Sequence, residues 1–454
     1  MSDYETFLDR KTQLGSGDGF DPLWMPDFLY PFQTELVTWA VRQGRAALFA
    51  DCGLGKTPMQ LVWAQNMVQQ TGMPVLIVTP LAVAFQTEGE AHKFGVEAAV
   101  SRTGRAVAPI TVTNYDRLHL FRSEDFGGMV CDESSAIKAF DSERRGLVTD
   151  FMRKLQYRLL CTATAAPNDY IELGTSSEAL GHLGYMDMLS RFFTNSQNTS
   201  HPNRRWADAA GWRFKGHSEG AFWRWVSSWA RALRRPSDLG FSDKGFALPA
   251  LEYRRQIIEA REIAPGQLFD LPAFGLKEQR QESRRTIEER CEAAANLLAD
   301  ADAAIAWCQL NTEGDLLTDL IDGGVQVKGS DSIDYKEETL HAFAKGEIRV
   351  LVTKPSIAGW GLNWQHCHRM AFFPSHSYEQ FYQAVRRCWR FGQTQPVTVD
   401  VVITEGGLEV MKNLERKAEQ ADRMFDALTE HMRNALKIQR SVDYINPVEV
   451  PSWL

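Results

Sequence analysis

The feature that most narrows what this chain can fold into is an apolar run, Ala46 to Ala50. It breaks into Asp51-Cys52-Gly53-Leu54-Gly55-Lys56-Thr57 and resumes as a helical pattern from Met59 to Val68. A short apolar run closed by a glycine loop reads as a buried strand, and the period that follows reads as a helix. Strand, loop and helix in that order belong to a parallel sheet covered by helices, so the expected fold class is α/β. The loop has the chemistry of a phosphate cradle. Gly53 and Gly55, with Leu54 between them, let backbone N–H groups curl around phosphate oxygens at the positive end of the next helix. Lys56 is placed to reach β- and γ-phosphates and Thr57 to ligate Mg²⁺, which makes ATP and Mg²⁺ the expected cofactors. Ala50 stands where the eight-residue pattern ordinarily opens with Gly.

A phosphate cradle that drives hydrolysis needs a second strand bearing carboxylates. Phe126-Gly127-Gly128-Met129-Val130-Cys131-Asp132-Glu133 supplies one, an apolar run ending in two acids where a parallel strand would emerge. Asp132 is the expected second holder of the metal, and Glu133 the general base on the attacking water. Further apolar strands at Val75 to Thr79 and Ile110 to Thr113 lie between cradle and acids.

With these segments in order, the chain resembles the superfamily-two helicases, and among them the Swi/Snf-related DNA translocases. Leu29-Tyr30-Pro31-Phe32-Gln33 is similar to the family's adenine-reading segment, which implies that Gln33 hydrogen-bonds the base. The run ending at Thr79-Pro80, with Gln86 after it, and then Thr113-Asn114-Tyr115 resemble motifs that touch a nucleic-acid backbone. Cys161-Thr162-Ala163-Thr164 resembles the coupling motif, giving Thr162 and Thr164 that role. The resemblance continues through Val350 to Gln365, placing Lys354 and Ser356 near a phosphate backbone and Gly361 near the nucleotide. It covers roughly Leu29 to Thr404 and implies two RecA-like lobes with parallel sheets, a helical insert between them, and a nucleic-acid-dependent ATPase.

The last motif, Gln383 to Gln393, carries the second half of the implied chemistry. Gln383, Arg387 and Arg390 fall at i, i+4 and i+7, so one helical face is expected to present an amide and two guanidinium groups. In the family such arginines meet the γ-phosphate when the lobes close. Three departures stand out. Asp132-Glu133-Ser134-Ser135 lacks the family's usual third and fourth residues, Arg386 stands where many relatives have Gly, and Thr353 to Gly361 departs from the usual Ser/Thr-rich loop.

A net charge of −8 argues weakly against a nucleic-acid partner, but steering follows local patches rather than totals. Between His201 and Arg235 lie Arg204, Arg205, Arg213, Lys215, Arg224, Arg231, Arg234 and Arg235 against only Asp208 and Glu219. Arg204 and Arg205 are the candidates for gripping a backbone, whereas Trp223, Trp225 and Trp229 read as core residues of a helical insert. The expected organisation is a flexible lead to residue 21, lobe one over 22–183, the insert over 184–250, and lobe two with C-terminal helices over 251–454. Gln279 to Asp300 reads as one long charged helix. Seven scattered cysteines without a Cys-x-x-Cys pair indicate neither a zinc site nor a disulfide framework. No apolar run approaches a membrane span and the N-terminus lacks the features of a signal peptide, so a cytosolic monomer of the bacterial, phage or prophage kind is expected. The function that fits is an ATP-dependent translocase on double-stranded DNA. The alternatives are an RNA or DNA strand-separating helicase and the motor subunit of a restriction or defence assembly.

Overall fold

The computed structural model describes residues 18–80, 83–138, 142–166, 169–195, 212–259, 276–358 and 363–443. The chain forms two compact units. The first takes Met1–Thr79, Thr87–Asp243 and Ala421–Leu454, and the second Pro80–Gln86 and Lys244–Gln420.

In the first unit the strands are β1 (Arg45–Ala50), β2 (Val75–Thr79), β3 (Ala98–Val100), β4 (Ile110–Asn114), β5 (Gly128–Asp132), β6 (Tyr157–Cys161), β7 (Phe193–Asn195), β8 (Trp212–Phe214) and β9 (Ala230–Leu233). Seven of them form one sheet in the order β3-β4-β2-β5-β6-β1-β9, with every neighbouring pair parallel. Strands β2, β4, β5 and β6 are buried at every residue. This is the continuous apolar signature of a parallel sheet covered on both faces. The helix Lys56–Thr71 springs from the end of β1 and stops at Gly72, whose φ of 68° closes it with an N–H bond to the Val68 carbonyl.

The stretch expected as a separate insert returns to this sheet. Its helix Ser218–Trp229 buries Phe222, Trp223, Trp225 and Trp229, and the chain then enters β9 beside β1, Ala47 opposite Ala230. Trp229 meets Phe49 of β1 edge-on at 6.3 Å, and Phe193 of β7 stacks on Phe214 of β8 at 4.6 Å. The tryptophans are therefore core, because bulky aromatics gain more from packing on the sheet than from standing in water. The expected C-terminal boundary also differs. In the helix Leu408–Asp443, residues from Ala421 belong to the first unit, where Met424, Phe425 and Leu428 are buried in its core.

The second unit has β10 (Leu251–Ile258), β11 (Ala304–Trp307), β12 (Gly324–Val327), β13 (Val350–Thr353), β14 (Arg369–Phe372) and β15 (Val397–Thr404). They pair in parallel in the order β10-β15-β14-β11-β13-β12. Two α/β units on parallel sheets are the fold class the sequence indicates. The long charged helix expected over Gln279 to Asp300 is instead two, Leu276–Arg285 and Ile287–Leu298. Thr286 separates them: its hydroxyl donates back to the Glu282 carbonyl at 2.8 Å, a bond that competes with regular helix. Among the described residues no helix is long and apolar enough to cross a membrane.

Candidate nucleotide site

Strands β5, β6 and β1 are neighbours, so the loops leaving their carboxyl ends converge, the place where open parallel sheets bind ligands. The loop after β1 turns through Gly53 at φ 86° and Gly55 at φ 74°. At Gly55 a side chain is excluded twice over, by that left-handed backbone and by the Gln33 amide, whose nitrogen lies 2.3 Å from where a Cβ would sit. Gln33 donates to the Leu54 carbonyl at 2.8 Å and accepts from the Tyr30 N–H at 2.9 Å, which pins the loop to the helix Pro31–Gln43. A primary amide has four hydrogen-bonding positions, so one donor and one lone pair remain for a base edge.

Lys56 donates to the carbonyls of Ala50 at 3.0 Å and Asp51 at 3.4 Å, folded across the mouth of the loop it follows. Burial alone would pull its pKa down. The charges of Cys52, Glu133, Asp132 and Asp51 outweigh that, and the ammonium is held above the ordinary lysine value. Among the described residues Cys52 is the one cysteine that is not buried. Iodoacetamide is therefore expected to label Cys52 first and, by adding bulk inside the loop, to abolish nucleotide binding. ATP should protect, and a Cys52→Ala protein should bind ATP and be insensitive. Labelling of Cys52, mapped by mass spectrometry, without loss of nucleotide binding would remove this loop from the site.

At the end of β5, Asp132 accepts a hydrogen bond from the Gln60 amide at 2.7 Å. Burial, and then the adjacent Glu133, hold the Asp132 carboxyl well above the usual carboxylate range, against the pull of Gln60 and Lys56. Glu133 has φ 50°, the one non-glycine residue at positive φ among those described. Such a conformation costs on the order of 1–3 kcal/mol and persists where surrounding structure imposes it. Thr162, leaving β6, donates to the Glu133 carboxylate at 3.2 Å while accepting from the Thr164 N–H at 3.0 Å. The expected coupling residues and the expected base are thus joined directly. Thr57 in the first helical turn and Asp132 offer one hydroxyl and one carboxylate. That small hard-oxygen set fits Mg²⁺, which takes its remaining ligands from phosphate and water.

The motifs leave out Gln60 and give Tyr115 a different role from the one it has here. Gln60 carried a usable signal, since it lies at i+4 from Lys56 and so on the same helical face. Tyr115 is buried and its hydroxyl donates to the Asp132 carbonyl at 2.7 Å. That corrects its expected place on a nucleic acid: the phenol braces the acid strand. The side chains of Thr113 and Asn114 are likewise turned inward. Thr113 donates to the Ser101 carbonyl at 3.1 Å, and Asn114 caps the turn Tyr115–Leu120 by accepting from the Arg117 N–H. The polar atoms of these three positions, at the end of β4 and just past it, all find partners inside the protein. Pro80 is half-buried beyond β2. Lys354 is half-buried and Ser356 exposed beyond β13. Arg204, Arg205 and Gly361 lie outside the described residues.

Among the basic residues counted in the insert, Arg231 and Arg234 are engaged within the protein. Arg231 is buried, lies 4.1 Å over the Trp39 ring and donates to the Ser227 carbonyl; burial pushes its pKa down to about 10. Arg234 pairs with Asp426 and, at 3.6 Å, with Asp422.

In the second unit the helix carrying Gln383 is Tyr378–Val385, capped by Arg386. Arg387 and Arg390 therefore do not continue a helical face as expected. They lie in tight turns, with the Arg387 N–H bonded to the Ala384 carbonyl and the Arg390 N–H to that of Cys388. The link between Gln383 and Arg387 survives: both are buried, and the guanidinium donates to the Gln383 side-chain oxygen at 2.9 Å. Arg390 is half-buried.

No protein-family model matches the chain. It is 22% identical over 465 residues to putative protein p41 of Acyrthosiphon pisum secondary endosymbiont phage 1, spanning 88% of this chain and 98% of that protein. Among solved structures it is similar to the Sulfolobus solfataricus SWI2/SNF2 ATPase core in complex with dsDNA. That match has 19% identity, covers 91% of this chain and 95% of the other, and has a TM-score of 0.41.

Proposed function

We propose that this chain is an ATP-dependent motor that moves along double-stranded DNA. One observation carries the reading: at the adjoining ends of β1, β5 and β6 a single unit assembles Lys56 and Thr57, Asp132 bonded to Gln60, and Glu133 bonded to Thr162. The loop N–H groups and Lys56 bind the phosphates, and Glu133 takes the proton of the attacking water. Mg²⁺, when bound, neutralises charge between the phosphates, and Thr57 and Asp132 are the residues that would hold it. Thr162 holds the Glu133 carboxylate in line and passes its position to the loop that follows β6. Arg387 and Arg390 in the second unit supply the charge that stabilises the transition state, so hydrolysis depends on both units. The similarity to a phage protein over most of both chains fits a compact motor of phage or prophage kind.

The test compares ATPase rates with duplex DNA, single-stranded DNA and RNA over a range of salt. Duplex should stimulate most, irrespective of its sequence, because phosphate contacts carry no sequence information. Stimulation should fall by about 10³ or more in DNA affinity between 50 and 200 mM salt if six or more phosphates are contacted. Stimulation by RNA with none by duplex DNA would move the assignment to an RNA helicase.

A further inference from the structure

The turn that bears the arginines is fastened to the segment through which the chain enters the second unit. That segment, Lys244 to Ala250, begins the unit's second stretch and runs into β10. Its Pro249 carbonyl accepts from the Trp389 indole N–H at 2.7 Å, and its Phe246 ring stacks on Phe391 at 5.1 Å, with 26° between the planes. Trp389 and Phe391 flank Arg390. The Ala250 carbonyl accepts from the Val397 N–H at 2.9 Å, so the connector is held from its middle to its end.

On the other side of Trp389 stands Arg386, the residue that replaces the family's usual Gly. Its guanidinium lies 4.3 Å over the Trp389 ring and 5.3 Å over the Tyr382 ring, and it donates to the Trp389 carbonyl and the Tyr382 hydroxyl. A guanidinium between two aromatic faces is a rigid contact, because planar groups on both sides fix its orientation. Gln393 closes the turn from below with all four of its positions in use. It donates to the Cys367 and Cys388 carbonyls and accepts from the Thr394 and Gln395 N–H groups, at 2.9 to 3.2 Å. Arg387 and Arg390 thus sit in a turn tied through Arg386, Trp389, Phe391 and Gln393, and the ties of Trp389 and Phe391 run to the connector.

We propose that Phe246 and Trp389 form a clasp that, by holding the turn against the connector, positions Arg387 and Arg390. The clasp rests on the motor reading above. Phe246 and Trp389 are positioning residues, acting through the arginines and touching no substrate. A displacement of about 1 Å in a group that must meet a transition state costs on the order of 10²-fold in rate.

The experiment uses the full chain with Phe246→Ala, Phe246→Tyr and Trp389→Phe, each assayed for ATP affinity with a fluorescent analogue, kcat and KM with saturating duplex DNA, and melting temperature. Phe246→Ala is expected to lower kcat about tenfold or more while ATP affinity and melting temperature stay at the wild-type level. Phe246→Tyr keeps the ring and should restore the rate. Trp389→Phe keeps a ring under Arg386 but removes the indole donor, and should lower kcat alone. Wild-type kcat in Phe246→Ala and Trp389→Phe, beside a collapsed Arg390→Ala, overturns the clasp and leaves the motor reading standing. Absence of DNA-stimulated hydrolysis in the wild-type chain overturns both.

Discussion

Arg390→Ala should bind ATP with nearly wild-type affinity and lose hydrolysis at saturating duplex DNA by ~10³- to 10⁵-fold. The reason is positional. In the proposed mechanism phosphate binding falls to the loop after β1 and to Lys56 in the first unit, none of which the substitution touches. What the transition state needs in addition is a cation on the far side of the γ-phosphate, and a guanidinium supplies it at little reorganisation cost when its backbone is already held. Of the two arginines, Arg390 is the more accessible. Arg387 is buried and its guanidinium is bonded to Gln383, whereas Arg390 is half-buried at the edge of the turn. Arg387→Ala should also abolish hydrolysis, but with a drop in melting temperature, because a buried bond partner is left behind. Near-normal turnover of Arg390→Ala with saturating DNA would defeat the two-unit mechanism.

Glu133→Gln should trap the protein with ATP bound. The glutamine matches the glutamate in shape and still accepts from Thr162, so the geometry at 3.2 Å is retained while the proton acceptor is removed. General-base removal is worth about 10²- to 10⁴-fold, and single-turnover hydrolysis should fall by that factor while radiolabelled ATP stays with the protein through gel filtration. Release of ATP by the variant, or hydrolysis at the parent rate, would assign the base elsewhere. The backbone at Glu133 makes the position exacting. At φ 50° the residue is held in place by the surrounding fold as well as by Thr162. Asp132→Asn, which removes the carboxylate expected to hold the metal, should instead weaken metal-dependent nucleotide binding.

Much of the candidate site is legible in the sequence. The phosphate loop, the two acids and the Thr162 to Thr164 motif are local signals, each a strand end followed by residues whose chemistry has few other uses. Their spatial meeting follows from parallel topology, which brings strand ends together. Gln60 was readable from helical spacing alone. Tyr115 was not: its motif position suggested a nucleic-acid contact, and only the fold, which seats the turn Tyr115–Leu120 against β4 and β2, puts its hydroxyl on the Asp132 carbonyl. The basic count in the insert misled in a similar way, since charge on a sequence does not say which guanidinium finds a ring or a carboxylate inside the fold.

The amino-acid sequence by itself determined the parallel α/β class, the glycine loop after β1 and the acid pair at the end of β5, because these depend on short-range periodicity and on residue chemistry within a few positions. Tertiary structure alone decided that the insert closes back as β9 beside β1 and that the end of the last helix joins the first unit. It alone also placed Arg387 and Arg390 in a clasped turn rather than on a helix. Each of these turns on contacts between residues far apart in the chain: Trp229 on Phe49, Phe425 in the first core, Trp389 on the Pro249 carbonyl. Burial of aromatic surface and satisfaction of buried polar groups set those pairings, and neither leaves a periodic trace in the sequence.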